Sequence, residues 1–173
     1  GLASGATVVI SQHYGAKQED GVQKALHTAY AFSVVGGIII SIMGILITRP
    51  LLKLMNTPDN IIDLSATYLC IYFAGLVFVF IYNVGAGILR AVGDSRRPLY
   101  FLILCCFINV VLDIILIVFL KMGVAGAAIA TTFSQGISAV MVTVTLCRTT
   151  DIFRLRVKKI RFHAQPMGMI VKI

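Results

Sequence analysis

Asn109-Val-Val-Leu-Asp113 lies inside a largely apolar run that extends from Leu99 to Leu120. A run of about 20 apolar residues is what a helix needs to cross the hydrocarbon core of a bilayer. A charged side chain inside such a helix costs at least about 2.5–3.5 kcal/mol, so intramembrane acids usually face a protein interior or a water-filled cavity. Asn109 lies one turn before Asp113, on the same helical face. The stretch therefore predicts a membrane-spanning helix with a functional polar pair.

The composition of the whole chain indicates a membrane protein. The 173 residues are 58% hydrophobic and only 13% charged, with a mean hydropathy of +0.94, whereas a typical soluble domain is about 25% charged. The net charge of +8 could suggest a nucleic-acid partner, but the cations separate the apolar segments instead of forming one patch. We therefore expect no nucleic-acid binding. Because the chain starts and ends within apolar segments, at Gly1 and Ile173, we interpret it as a fragment.

Five apolar segments predict five membrane spans, at about residues 1–13, 26–47, 61–89, 99–120 and 124–147. The short connections between them imply antiparallel neighbours. We predict an all-α polytopic membrane protein, in which residues 1–147 form an antiparallel transmembrane helix bundle. Residues 148–173 are predicted to be a basic cytoplasmic linker that leads to the start of the next helix.

Two connections are predicted from residues that interrupt helices. The segment from His13 to Lys24 is polar and contains Gly15 and Gly21, so we expect a loop there. Arg49-Pro50 is expected to end the second span, because proline removes a backbone donor and disfavours helix in the residue before it.

The distribution of cations predicts the orientation. One set of connections carries eleven Lys and Arg residues: Lys17, Lys24, Arg90, Arg96, Arg97, Arg148, Arg154, Arg156, Lys158, Lys159 and Arg161. The alternate connections carry only Arg49, Lys53 and Lys121. Because cytoplasmic loops are enriched in cations, residues 14–25, 90–98 and 148–163 are predicted to be cytoplasmic. We expect an integral protein of a bacterial-type plasma (inner) membrane, in contact with the lipid bilayer.

The orientation places Asp113 in the outer half of the membrane, about 21 Å from the cytoplasmic end of its helix at 1.5 Å per residue. Burial disfavours the charged carboxylate, whereas a bound cation favours it. The next helix returns through the same depth, where it carries Thr131. Asp113, Asn109 and Thr131 form a candidate site for H⁺ or for Na⁺, the metal ion that these oxygen ligands suggest. Other polar residues could line a cavity: Gln135, Asn83 and Tyr82.

Several blocks resemble the multidrug and toxic compound extrusion (MATE) transporters. Gly5-Ala-Thr-Val-Val-Ile-Ser11-Gln12-His-Tyr-Gly15-Ala16 is similar to the end of their second helix, and Gly87-Ile-Leu-Arg90-Ala-Val-Gly93-Asp94-Ser-Arg96-Arg97-Pro98 to the end of their fourth. Asn109-Val-Val-Leu-Asp113 and Gly123-Val-Ala-Gly126-Ala-Ala-Ile-Ala-Thr131 resemble their fifth and sixth helices. The resemblance implies a MATE-like N-lobe fragment, from the second to the sixth helix plus the linker between lobes. The first helix and the second lobe would be missing partners in the same polypeptide.

The resemblance also implies secondary active efflux of an organic cation or another drug in exchange for H⁺ or Na⁺. It places Asn109, Asp113 and Thr131 in the cation-coupling site of the N-lobe. No other cofactor is implied. Two alternatives remain, a lipid-linked saccharide flippase of related fold and a non-transporting membrane scaffold. We expect no enzyme activity, because the sequence contains no phosphate loop, zinc spacing or nucleophile triad.

Overall fold

The computed structural model describes residues 2–149 and 154–155, with side chains from residue 5 onward. Five helices follow one another: α1 (Leu2–Gly15), α2 (Glu19–Leu54), α3 (Asp59–Ala91), α4 (Arg96–Asp113) and α5 (Gly123–Arg148). α4 continues directly into a π-helical segment, Ile114–Phe119. No β-strand occurs among the described residues.

Four of the described helices are long and apolar enough to cross a membrane: α2, α3, α4 with its π-helical continuation, and α5. Successive helices run in opposite directions, because each connection between them is only a few residues long. The predicted fold class, an all-α antiparallel transmembrane bundle, is thereby confirmed. Residues 150–153 and 156–173 lie outside the described residues, and so does most of the predicted linker.

The predicted loop from His13 to Lys24 is wrong for most of its length. Only residues 16–18 separate the two helices, and Gly21 lies inside α2. A Cβ atom at Gly21 would lie 2.6 Å from Nδ1 of His13. The glycine therefore allows α1 and α2 to approach closely beside a tight connection, and it does not interrupt the helix.

The predicted end of the second span at Arg49-Pro50 is also wrong, because α2 continues through Pro50 to Leu54. The proline removes one hydrogen bond to the carbonyl of Leu46. Proline is tolerated in membrane helices where local adjustments or neighbouring polar side chains compensate for the lost bond. The helix ends one turn later, where the Met55 N–H donates to the Leu51 carbonyl oxygen at 3.0 Å.

Gly93 and Asp94 form the turn between α3 and α4. Gly93 has a φ of +90°, a backbone conformation that is open to glycine and costly for other residues. Asp94 Oδ1 accepts a hydrogen bond from the Arg97 N–H at 3.2 Å, in the first turn of α4. The aspartate thereby satisfies a backbone donor that has no partner within the helix, whereas the side chain of Ser95, directly before the helix, makes no such bond.

Small residues bring the helices into close contact. Gly37 of α2 packs against Val77 of α3, and Gly85 of α3 packs against Val142 of α5. The largest buried apolar cluster combines residues of α1, the first half of α2, the second half of α3 and the end of α5. These parts meet at the end of the bundle that carries most of the cations. Helix α5 therefore has a fixed position relative to the rest of the bundle.

Tyr82 links the cation-rich ends of α3 and α4. Its buried hydroxyl donates a hydrogen bond to the Pro98 carbonyl oxygen at 2.9 Å. We expect Tyr82→Phe to destabilise the bundle by about 1 kcal/mol, because an intramolecular hydrogen bond is lost and a buried carbonyl loses its partner. Thermal unfolding in detergent measures this. Tyr100→Phe, at a side chain that is 66% exposed, is the matched control, and equal shifts for both variants would contradict the assignment.

Candidate functional site

Asp113 occupies a change of helix geometry. It is the last residue of α4, and the six-residue π-helical segment starts at the next position. π-Helical turns are rare and frequently occur at functional sites, because they widen the helix and re-aim the neighbouring side chains. The described residues of this segment include none that is buried. The C-terminal part of this span is therefore loosely held by the rest of the described bundle.

Asp113 and Asn109 each carry a buried polar atom without a partner in the described part of the chain. These atoms are Oδ1 of the aspartate and Nδ2 of the asparagine. Buried polar groups are nearly always hydrogen-bonded, and leaving one unpaired costs about 1–3 kcal/mol. The two unsatisfied atoms lie one helical turn apart on one face. Among the described residues the only other such side-chain atom is Oγ of Ser41, on α2.

The packing of α4 on α5 fixes which residues share the depth of this pair. Leu116 contacts the backbone position of Gly126, and a Cβ there would lie 3.2 Å from Cβ of the leucine. Farther along the antiparallel pair, the Cys105 thiol interacts with the Ser138 side chain. Interpolation between these two contacts puts Asp113 at the level of residue 129, and Thr131 at the level of residues 111 and 112.

Thr131 therefore lies between the levels of Asn109 and Asp113, within about one helical turn of each. Its hydroxyl donates to the Ala127 carbonyl oxygen at 3.0 Å, and it keeps its lone pairs as acceptors. Farther along α5, Ser134 donates to the Thr131 carbonyl oxygen and Ser138 to that of Gln135, at 2.9 and 2.8 Å. These serines satisfy their hydrogen bonds within their own helix. Asp113, Asn109 and Thr131 lie within about one helical turn of one another along the bundle, and a shared ion site stays a prediction.

The residues predicted to line a cavity are more dispersed. Gln135 is half-buried and lies one turn beyond Thr131 on α5. Tyr82 is buried near the α3–α4 turn, and Asn83 is exposed and donates to the Val79 carbonyl oxygen at 2.9 Å. For these three residues, cavity lining stays a prediction.

An apolar groove of about 520 Å³ lies between α3 and α5. Its walls include Ile71, Phe78, Phe133 and Val140, and none of the predicted site residues contributes to it. Four of the groove residues on α5 follow one another at helical spacing: Ile129, Phe133, Gly136 and Val140. The sequence therefore contained a periodic pattern that marks this face of the helix. Apolar residues occur on several faces of this helix, however, and the sequence does not single out this one.

No cluster of three or more His, Cys, Asp or Glu side chains occurs within the described residues. Sites that need several charged or thiolate ligands, as zinc sites do, are therefore not indicated there. One carboxylate with an amide and a hydroxyl oxygen nearby suits a proton or a small hard cation.

Comparisons with known proteins agree on one family. The MatE family profile matches residues 1–115. The chain is 38% identical over 138 residues to the "Probable multidrug resistance protein YoeA" of Bacillus subtilis, which covers 78% of this chain and 30% of that protein. It is 26% identical over 173 residues to the "Multidrug export protein MepA" of Staphylococcus aureus, and this match covers 98% of this chain and 38% of that protein. The chain thus spans about a third of the length of these curated relatives.

Solved structures give the same result. A multidrug resistance MATE family transporter of the MOP superfamily in its inward-facing conformation matches with a TM-score of 0.92, at 26% identity, over 99% of this chain and 39% of that one. The structure of an outward-facing conformation matches with a TM-score of 0.91, at 26% identity, over 99% of this chain and 38% of that one. Both of these proteins are transporters. The chain therefore belongs to the MATE family and is part of an integral membrane protein homologous to multidrug efflux transporters.

Proposed function

We propose that the full-length protein exports organic cations and other drugs in exchange for H⁺ or Na⁺, and that Asp113 is the coupling carboxylate in this part of the chain. The observation that carries the proposal is the pair of unsatisfied buried atoms, Oδ1 of Asp113 and Nδ2 of Asn109, inside a membrane helix. The names of the relatives supply the class of substrate. The remaining two-thirds of the protein would provide the first helix and the second lobe.

Charge neutralisation is the core of the proposed mechanism. An ion bound at Asp113 removes the cost of a carboxylate in a low-dielectric environment. Asn109 can turn either end of its amide toward the site, so it can assist a protonated acid or a bound Na⁺. Thr131, between the levels of Asn109 and Asp113, can add a hydroxyl oxygen. A cationic substrate competes with the ion because both are stabilised by the same negative charge.

The π-helical segment Ile114–Phe119 is the element that responds in this mechanism. The coupling ion shifts a conformational equilibrium only by the difference between its affinities for the two states. A helix that changes geometry directly after the carboxylate, and that is loosely packed, can adopt a second packing at low cost. We propose that neutralisation of Asp113 changes the packing of this outer part of α4, and that this change favours release of substrate.

The distribution of Lys and Arg residues supports an orientation of the protein in the membrane, and with it the direction of the proposed export. Residues 14–25, 90–98 and 148–163 would face the cytoplasm of a bacterial cell, with the Arg49–Asp63 ion pair (3.1 Å) at the outer end. Every Lys and Arg of the described helices lies near a helix end. A flippase for lipid-linked saccharides would need cations inside the membrane to bind pyrophosphate, so drug efflux is the better-supported function.

Efflux from vesicles that contain the full-length protein tests the proposal. Substrate flux is measured under a pH gradient alone and under a Na⁺ gradient alone, each with an ionophore control that collapses it. We expect one gradient to drive efflux and its collapse to stop it, which identifies the coupling ion. Efflux that needs ATP, or that proceeds equally well without either gradient, would contradict ion antiport.

A further inference from the structure

The chain returns to the bundle just after α5 ends, through Arg154 and Leu155. We call these two residues the anchor. The Leu155 N–H donates to the Leu146 carbonyl oxygen at 2.9 Å, and Arg154 Nε donates to the Cys147 carbonyl oxygen at 3.1 Å. The last carbonyl groups of a helix have no partner within the helix. The anchor therefore satisfies two carbonyls in the final turn of α5.

The anchor also contacts a distant part of the chain. Gln23, in the first turns of α2, donates from Nε2 to the Arg154 carbonyl oxygen at 3.3 Å. Leu155 is only 2% exposed and belongs to the same buried cluster as Val22 and Leu89. The anchor thus joins the cation-rich ends of α2, α3 and α5.

This arrangement differs from that of a free linker. A free connection between two moving bodies would be exposed and would bond mainly to solvent. Here three hydrogen bonds and a fully buried leucine hold two residues against the bundle. Transporter structures in inward-facing and outward-facing conformations match this chain almost equally well, with TM-scores of 0.92 and 0.91 over 99% of its length. A bundle whose cation-rich end keeps one arrangement, with the anchor attached, accounts for both matches.

We propose that the anchor is a fixed joint: it keeps Arg154 and Leu155 on this bundle throughout the transport cycle. This inference rests on the proposed function, because only a transporter passes through such a cycle.

Spin labels test the joint without a transport assay. In the full-length protein with its native cysteines replaced, Gln23→Cys and Arg154→Cys carry nitroxides, and dipolar broadening reports their proximity. We expect the same strong broadening at acidic and neutral pH, and with and without Na⁺. Adding Leu155→Ser should abolish the broadening, whereas Leu54→Ser, at an exposed leucine at the other end of α2, should leave it unchanged. Broadening that disappears in one ion condition, or that survives Leu155→Ser, would overturn the proposal.

A crosslink tests the joint during turnover. The same cysteine pair is bridged by a short reducible bis-methanethiosulfonate, and efflux is measured before bridging, after bridging and after reduction. We expect no loss of efflux on bridging. Atoms that stay together in every conformation can be linked without favouring one conformation over another. Efflux that is lost on bridging and restored by reduction means that the anchor opens, which refutes a fixed joint. If the unbridged protein supports no gradient-driven efflux, the proposed function fails, and the spin-label result still decides on the anchor.

Discussion

Asp113→Asn in the full-length protein should lower gradient-driven efflux by at least about tenfold, toward the leak of empty vesicles, because coupling free energies of 1–3 kcal/mol correspond to changes of about 5–150-fold. The amide cannot be protonated and carries no charge to attract Na⁺. The variant should nevertheless fold at least as stably as the wild type, since a neutral amide costs less than a carboxylate inside a membrane. Efflux and thermal unfolding, measured on the same preparation, separate lost coupling from lost structure.

Asp63→Asn is the matched control for this experiment. Asp63 lies near the start of α3, its side chain is 80% exposed, and it pairs with Arg49 at 3.1 Å. An exposed ion pair contributes about 0–1 kcal/mol, so the same chemical change there should leave efflux nearly unchanged. Full ion-coupled efflux by Asp113→Asn would refute the assignment of the coupling carboxylate. Equal losses of efflux in both variants would show that the effect of Asp113→Asn is not specific to the site.

The fold could be predicted because the membrane imposes strong local constraints. Apolar length marks four of the five predicted spans, and in the structure each of these four coincides to within a residue with part of one helix or of one helix and its π-helical continuation. Asp113 and Asn109 could be recognised as a candidate polar pair, because carboxylate and amide side chains are rare inside an apolar membrane span. The roles of Gly93 and Asp94 are equally local, because they depend only on neighbours a few residues away.

Features that depend on contacts between distant residues were not predictable. Gly21 looks like a loop residue, and only the packing of α1 against it explains its place in a helix. Pro50 looks like a helix end, although the helix extends beyond it to Leu54. The π-helical segment has no periodicity signal, because the change of one residue per turn occurs within a uniformly apolar run. The contacts of Leu155 involve residues more than 60 positions away in sequence, and in sequence it is one apolar residue among several cations.

Gly37→Ala should destabilise the bundle by about 1–3 kcal/mol, the usual cost of overpacking a close contact. The added Cβ would lie 2.9 Å from the backbone of Val77 on α3, at its α-carbon. A side chain could rotate away from such a contact, but a backbone atom moves only if the two helices separate. The penalty should outweigh the gain of about 1 kcal/mol that alanine normally brings to a helix interior. Thermal unfolding in detergent measures the net effect.

The adjacent residue provides the control, because Gly36→Ala makes the same chemical change one position away. A Cβ at Gly36 would meet only the Phe32 ring, at an ordinary distance of 3.5 Å. We therefore expect Gly36→Ala to stabilise the bundle and Gly37→Ala to destabilise it. Adding Val77→Ala to Gly37→Ala should restore stability only in part, because it relieves the side-chain clash at 3.2 Å and leaves the clash with the Val77 backbone. Shifts of the same sign for the two glycine variants, or complete rescue by Val77→Ala, would show that the α2 and α3 backbones do not touch directly at this point.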